Sequence, residues 1–268
     1  MQLRNYSPRT VKTYSDHLAR IGDEMQLSLD VVTVPQFKAY LHKRIVNDNI
    51  STSLINQTIS VFKLLQVDVL GREWEQFKIK RPRREKKLPV VLSVGEVEKL
   101  ISVTQNIKHR AIIALAYSAG LRRQEVQLIK PVSIDSALMQ VRVVQGKGKK
   151  DRNTILSPKA LDLLRTYYKI QRPKIFLFES QGKTGVPLAD STLNEIVKQS
   201  AAKAGIKKKI SFHTLRHCFA THLLEKGVNL RIIQEFMGHV SLKTTSIYLH
   251  LVNVQPSGIV SPLDSMDI

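Results

Sequence analysis

A basic, proline-containing segment divides the chain and excludes a single uninterrupted helical body. Seven basic residues and one acidic residue lie from Lys78 to Lys87, and Pro82 and Pro89 lie within or just after this run. Proline removes a backbone donor and like charges repel each other, so we predict an extended linker. The predicted organisation is a helical module over residues 1–77, a linker over 78–92, a second domain over 93–248 and a tail over 249–268.

The first 77 residues show helical periodicity and no convincing strand pattern. Ser7-Pro8 has the form of a helix start, a hydroxyl cap followed by proline at the first helical position. A second helix is predicted to begin after Thr33, and a third runs from about Ser53 to Val69, before Gly71. The module is therefore predicted to be entirely helical.

Helical patterns also dominate the second region. Ser93 and Glu96 have the spacing of a capping box. After Gly120, Arg122 opens a helix whose apolar positions Val126 and Leu128 are predicted to be buried. An arginine in apolar surroundings requires an anionic partner, which is either Glu125 or a ligand. Further helices are predicted over about 108–118, 158–170, 191–204 and 214–226.

The sequence period changes between Leu138 and Leu156. Apolar and polar residues alternate over residues 139–143, and residues 153–156 can form a second strand, which together predict a hairpin. Its turn carries Lys147, between Gly146 and Gly148, and Lys149. With a further short strand expected over 175–178, the predicted fold class is mainly α with a small β-sheet, an α+β arrangement.

The charge balance indicates a polyanionic partner. The 268 residues include 42 Lys and Arg against 22 Asp and Glu, a formal net charge of +20. No stretch approaches the ~18 continuous apolar residues of a membrane span, so nucleic acid is favoured over a membrane. The single cysteine, Cys218, is predicted to be buried and suits a reducing, cytoplasmic location. The predicted DNA contacts are Lys80, Arg81, Arg83, Arg84, Lys86 and Lys149.

Side chains suited to phosphate chemistry cluster near the end of the chain. His213, Arg216 and His217 begin one predicted helix, His239 follows a Met-Gly pair, and Tyr248 lies on a short polar helix. Together they have the composition of an anion site beside a nucleophile. Each also has a structural interpretation: the histidines as interior residues, Tyr248 as an interface aromatic, and His217 as a supporting residue.

Taken in order, the motifs resemble the tyrosine recombinase (phage integrase) family. The resemblance covers about residues 93–248, and the N-terminal part is similar to the family's SAM-like core-binding domain. The compact length resembles the bacterial Xer recombinases, and the tail is similar to those of integron integrases. The motifs are Ala119-Gly-Leu-Arg122-Arg-Gln-Glu125, Gly146-Lys147-Gly148 with Lys150-Asp151-Arg152, His213-Thr-Leu-Arg216-His217, Gly238-His239 and Tyr248.

The resemblance implies an enzyme that cuts and rejoins DNA strands through a 3′-phosphotyrosyl intermediate and a Holliday junction. It implies Tyr248 as nucleophile, Lys147 as general acid, and Arg122, Arg216, His213 and His239 around the phosphate, with His213 assisting proton removal. No metal, cofactor or ATP is required. The implied partners are a double-stranded recombination site and a tetramer on DNA, with itself or a paralogue, in the bacterial nucleoid.

Two other functions fit the same scaffold. A non-catalytic DNA-binding protein would be expected to lack Tyr248 or one of the two arginines, Arg122 and Arg216, all of which are present. A topoisomerase or hairpin-forming enzyme would use the same chemistry within one duplex. For the tail over residues 249–268, docking on a neighbouring subunit is an open expectation, because its prolines favour an extended form.

Overall fold

The computed structural model describes residues 6–73, 81–82, 88–144 and 151–252. The chain forms two compact units, Met1–Lys87 and Leu88–Ile268. The division falls inside the segment predicted as a linker. Helices predominate and one small antiparallel sheet lies in the second unit, which confirms the predicted fold class.

Local capping defines the helices of the first unit. Ser7 accepts a hydrogen bond from the Thr10 amide at 3.1 Å, and Thr33 closes a capping box with Gln36. Stacking of the Phe37 and Phe62 rings, with centroids 3.8 Å apart, joins the second and third helices in the core. These helices are α1 (Pro8–Met25), α2 (Val34–Asp48) and α3 (Thr52–Leu64), which continues into a π-helical turn (Leu65–Val69).

The second unit is built around a helix that is buried on nearly all sides. Ile112, Ile113 and Leu115 of this helix (Ile107–Ser118) have no measurable exposure. The helix packs against the one that follows the sheet (Pro158–Gln171) and against the one that carries His213 and Arg216 (Phe212–Glu225). The helices are α4 (Val94–Ser102), α5 (Ile107–Ser118), α6 (Arg123–Leu128), α7 (Pro158–Gln171), α8 (Asp190–Lys203), α9 (Phe212–Glu225), α10 (Leu230–Met237) and α11 (Leu242–Thr245); 3₁₀ turns cover Pro131–Ser133 and Ser246–His250.

The predicted hairpin forms the greater part of a three-stranded sheet. β1 (Ile134–Asp135), β2 (Gln140–Val143) and β3 (Arg152–Ile155) follow one another in antiparallel order. Val141 and Val143 are buried, as the alternation predicted, because successive side chains point to opposite faces.

Two sequence predictions in this unit were wrong. Residues 175–178 form no strand. The Glu179 carboxylate accepts hydrogen bonds from the backbone amides of Lys174, Ile175 and Phe176, and the backbone bends around this carboxylate. Leu128 is 46% exposed because it lies in the last turn of a six-residue helix, whereas Val126 on the same helix is buried as predicted.

Helix α9 also anchors the beginning of the second unit. The thiol of Cys218 accepts the Leu92 amide at 3.2 Å, and His222, one turn later, bonds the Leu92 carbonyl through Nε2 at 2.9 Å. Cys218 is fully buried, as predicted.

Among the described residues, no helix combines the length and apolar character needed to cross a membrane.

Candidate active site

A tight turn places Arg122 at the start of helix α6. Gly120 has φ +60°, and a Cβ at this position would lie 2.3 Å from a ring atom of Phe219, so a side chain is excluded on two grounds. The turn carries the chain from α5 directly into the N-cap of α6, which is Arg122. The Arg122 side chain is 19% exposed, so part of its guanidinium reaches the surface.

Glu125 is the carboxylate on which two arginines converge. Arg122 donates to it through the backbone amide and through Nη1, both at 2.7 Å. Arg152 of β3 makes a two-pronged contact, with Nη1 and Nη2 each 2.7 Å from one carboxylate oxygen. Burial alone would raise the pKa of Glu125, but bonding to Arg152 and then to Arg122 lowers it to about 2.

A third arginine, Arg216 of α9, is 1% exposed and held by backbone. Its Nη1 donates to the Gly120 carbonyl and its Nη2 to the Met237 carbonyl. Nη2 also lies 3.0 Å from Nε2 of His239. Burial, followed by the nearby charge of Arg122, lowers the pKa of Arg216 to about 9, which leaves the group cationic at neutral pH.

The three arginines meet at the C-terminal end of α10. Three consecutive carbonyls there accept from three different guanidinium groups: Phe236 from Arg152 at 2.8 Å, Met237 from Arg216, and Gly238 from Arg122 at 2.9 Å. Unpaired carbonyls at a helix C-terminus carry partial negative charge and favour cations. The end of α10 is therefore a binding platform for all three side chains.

Gly238 makes this platform geometrically feasible. It caps α10 with φ +58°, and a Cβ there would lie 2.7 Å from Cδ of Arg152. The residue after it, His239, follows immediately from the same turn. A single glycine thus ends the helix, admits Arg152 and positions His239 beside Arg216.

The partners of His239 fix its tautomer. Arginine can only donate, so Nε2 of His239 accepts from Arg216, and Nδ1 therefore donates to the Thr245 hydroxyl at 2.9 Å. Burial, then the charges of Arg216 and Arg122, lower the pKa of His239 to about 3. The imidazole is neutral at physiological pH.

Tyr248 is buried next to this cluster and bonded to His217. The tyrosine is 2% exposed, and its hydroxyl lies 3.0 Å from Nδ1 of His217 on α9. Burial raises the pKa of Tyr248 to about 12, although Arg216 and Arg122 act in the opposite direction. His213, one turn earlier on α9, is exposed, and its ring packs edge-on against His217 with centroids 4.7 Å apart.

The structure thus brings together most of the predicted site residues that it describes. Arg122 and Arg216 bond the neighbouring carbonyls of Gly238 and Met237, and Arg216 also contacts His239. His213 and Tyr248 both contact His217. Of the predicted site and DNA-contact residues, Lys147, Lys80, Arg83, Arg84, Lys86 and Lys149 lie outside the described residues. Arg81 is described, and its Nη1 donates to Ser60 at 3.1 Å within the helical unit.

Sequence reasoning assigned no role to Arg152 and a supporting role to His217. The alternation of β3 contains a signal for the first, because Arg152 shares a face with Thr154, which is 1% exposed. A basic residue at an inward position requires a buried anion, here Glu125. No comparable signal in the sequence places His217 against Tyr248, because the contact spans 31 residues.

Family comparisons agree with this geometry. Residues 91–254 match the phage integrase family, and residues 1–76 match the N-terminal SAM-like domain of phage integrases. The chain belongs to the phage integrase family. Its relatives include a putative integrase/recombinase of Sinorhizobium fredii, 33% identical over 98% of this chain and 86% of that protein, and a tyrosine recombinase of Thermosipho africanus, 33% identical over 97% and 95%.

The fold also resembles a solved recombinase structure. The XerH site-specific recombinase, bound to a palindromic difH substrate in a post-cleavage complex, has a TM-score of 0.74, with 92% of this chain and 78% of that chain covered. At 22% identity this likeness concerns the fold. The tyrosine recombinase assignment from sequence is confirmed by the family matches.

The recombinase should lose stability when the charge of Glu125 is removed. We expect Glu125→Gln to lower the free energy of unfolding by about 3 kcal/mol at pH 7, because arginines in a largely buried cluster lose their counter-charge. The carboxyl pKa is 4.5 in the unfolded reference and about 2 in the fold, so its stabilisation is complete above about pH 4.5 and is lost as pH falls towards 2. Urea unfolding at pH 7 and pH 3 should show the deficit shrinking at the lower pH.

Glu96→Gln is the matched control. Glu96 is also the third residue of a helix with a capping box and a cationic partner, Lys208 at 2.6 Å, but its side chain is 30% exposed. Surface pairs of this kind are worth at most about 1 kcal/mol. Equal deficits for the two variants at pH 7, or a Glu125→Gln deficit that does not change with pH, would contradict the role assigned to Glu125.

Proposed function

We propose that Tyr248 attacks a DNA phosphodiester bound by Arg122 and Arg216, as a family member that catalyses site-specific recombination would do. The observation that carries the proposal is the charge balance beside the phenol. Three guanidinium groups surround one carboxylate, Glu125, a surplus of two positive charges (3 − 1). A phosphate diester would neutralise part of that surplus.

The two arginines differ in their task. Arg122 is partly exposed and bonds Glu125 and Gly238 through part of its guanidinium group. Its remaining N–H donors are available to a bound phosphate. Arg216 is buried and pre-positioned, which keeps its charge in a medium that screens little. Preorganised donors directed at developing negative charge are each worth about 10²–10³ in rate.

The tyrosine is suited to a reversible transfer. With a pKa of about 12 its hydroxyl is protonated at rest, so a proton must leave as the oxygen bonds to phosphorus. The product is a 3′-phosphotyrosyl ester and a free 5′-hydroxyl, and the ester conserves the energy of the broken bond for rejoining. Strand exchange between two duplexes through a Holliday junction then needs no ATP.

Lys147 completes the chemistry by protonating the departing 5′-oxygen. This role rests on the resemblance of Gly146-Lys147-Gly148 to the family motif. His213 and His239 would supply further hydrogen bonds around the phosphate. The arginines and the lysine provide the positive charge that a metal ion supplies in other phosphoryl-transfer enzymes, so we propose catalysis without metal or cofactor.

The proposed assembly on DNA rests on the net charge of the chain and on the number of strand cleavages. A net charge of +20 suits a DNA duplex, and we propose that the helical module over residues 1–77 and the linker over 78–92 bind the backbone beside the catalytic domain over 93–248. Exchange between two duplexes requires four cleavages, and we propose a tetramer on DNA, of this chain or with a paralogue, in the bacterial nucleoid.

Covalent trapping tests the nucleophile. A duplex site can be selected from a random-sequence library by binding to the wild-type chain, then nicked so that cleavage releases a short strand. We expect the wild type to form an adduct that survives denaturing electrophoresis in the presence of EDTA, and Tyr248→Phe to form none. Tyr168→Phe removes a hydroxyl from a 44% exposed tyrosine away from the cluster and should behave as wild type.

Two outcomes of the trapping experiment count against the proposal. An adduct formed by Tyr248→Phe would assign the nucleophile elsewhere. Tight binding of the selected duplex by the wild type without any adduct, under conditions in which the strand can escape, would favour a non-catalytic DNA-binding role instead.

Salt dependence of binding tests the linker. If Arg83 and Arg84 each neutralise one phosphate, replacing both with alanine should reduce the slope of log K against log salt by about 2. Lys159→Ala with Lys169→Ala removes the same charge from exposed positions of α7 and should leave the slope nearly unchanged. Equal slopes for the two double variants would place the linker away from the DNA.

A further inference from the structure

The hydroxyl of Tyr248 has a histidine partner other than the one expected from the family motif. Among the described residues, His217 is the side chain hydrogen-bonded to this hydroxyl, with Nδ1 at 3.0 Å and ring centroids 5.7 Å apart. His217 lies one turn after His213 on α9, and Tyr248 lies in the 3₁₀ turn Ser246–His250. The contact therefore depends on packing between two separate elements.

The surrounding groups are poorly placed or unable to take a proton from the phenol. Arg122 and Arg216 are cations that only donate. His239 already accepts from Arg216 through Nε2, and its Nδ1 bonds Thr245. His213 is exposed and touches the pair through the ring of His217. Nδ1 of His217 lies within hydrogen-bonding distance of the reacting oxygen, and in the tautomer that carries its proton on Nε2 it accepts from the phenol.

We propose that His217 is a catalytic residue that accepts the Tyr248 proton during attack and returns it when the strand is rejoined. The inference rests on the proposed function. As the bond from the tyrosine oxygen to phosphorus forms, the bond from phosphorus to the 5′-oxygen breaks. The phenolic proton moves to Nδ1 of His217, and the 5′-oxygen takes a proton from Lys147. The reverse sequence restores both groups.

The electrostatics of the pair are compatible with this transfer. Burial, then the positive charges of His213 and Arg216, lower the pKa of His217 to about 4, so the imidazole is neutral and its lone pair is available at pH 7. A bound phosphate anion opposes the charge of Arg216 and so favours the imidazolium. The phenol also becomes far more acidic as its oxygen bonds to phosphorus, which drives the proton across late in the step.

A second His–Tyr pair, between α9 and α5, provides control variants. His222 lies five residues after His217, and its Nδ1 is 2.9 Å from the hydroxyl of Tyr117, so the pair has the same chemistry as His217 and Tyr248 but does not include the reacting oxygen. Substituting His222 removes this His–Tyr hydrogen bond together with the bond from Nε2 to the Leu92 carbonyl, so it is the harsher structural control and leaves the bond to the reacting oxygen in place. Tyr117→Phe is a milder second control that removes one hydroxyl.

The test compares single-turnover cleavage of the selected, nicked duplex by His217→Asn, His222→Asn and Tyr117→Phe. The asparagine amide can accept a hydrogen bond near the position of Nδ1 but cannot take a proton. We expect His217→Asn to cleave about 100-fold more slowly at pH 7 while binding the duplex normally, and its deficit relative to wild type to shrink as pH rises from 7 to 8.5, because hydroxide then removes the proton while Arg216, with a pKa of about 9, still carries its charge. Both control variants should stay within about threefold of wild type.

The pH comparison must account for the charged groups that face His217. These are His213 and Arg216 on α9 and Tyr248 itself; Arg122, the N-cap of α6, acts on Tyr248. All of them are present in both the wild type and His217→Asn, so the difference between the two pH profiles isolates His217. A role in packing alone would slow cleavage by the same factor at every pH.

The outcomes separate this inference from the proposal on which it rests. Cleavage by His217→Asn within about threefold of wild type, or slow cleavage whose deficit relative to wild type does not shrink as pH rises from 7 to 8.5, overturns the role of His217 and leaves Tyr248 as nucleophile. If the wild type itself forms no adduct, the proposed function fails and the inference fails with it.

Discussion

Three consecutive carbonyl groups at the C-terminal end of α10 and one carboxylate, Glu125, together hold three arginines in a largely buried cluster. Without such partners, guanidinium groups in these positions would be strongly destabilising, because the loss of hydration costs several kcal/mol per ion. Each of the three is bound to backbone contributed by α10, and two of them share Glu125. Three other parts of the second unit position these arginines: Arg152 lies on β3, Arg122 follows the turn at Gly120, and Arg216 lies on α9.

The same cluster determines the protonation state of Tyr248, the proposed nucleophile. Burial of Tyr248 keeps its hydroxyl protonated, and the positive field of Arg216 and Arg122 opposes but does not overcome that effect. Arg216 holds His239 in one neutral tautomer, so this histidine adds no further positive charge to the cluster. A phosphate that enters such a site contacts fixed cations and a protonated Tyr248. The phenol would therefore lose its proton only after the substrate has bound. This is consistent with an enzyme whose transfer step must also run backwards.

Much of the fold was predictable because it is encoded locally. Helix starts such as Ser93 with Glu96 and the alternation at Val141 and Val143 depend on neighbours a few residues away. The sequence periodicity missed two features: β1, which is two residues long and exists through pairing with β2, and the Glu179 carboxylate, which binds amides three to five residues earlier in a segment of strand-like composition. The site motifs were recognisable as a set, but Arg152 on Glu125 and His217 on Tyr248 depend on contacts between separate elements.

The most direct test is a crystal structure of the chain on a gapped duplex with orthovanadate in place of the scissile phosphate, since vanadium adopts the geometry of a phosphoryl group in transfer. We expect the Tyr248 oxygen and the 5′-oxygen at opposite apices, with Arg122 and Arg216 bonded to equatorial oxygens and Arg152 still bonded to Glu125. A different side chain at the apex, or an Arg216 that contacts no vanadate oxygen, would contradict this expectation.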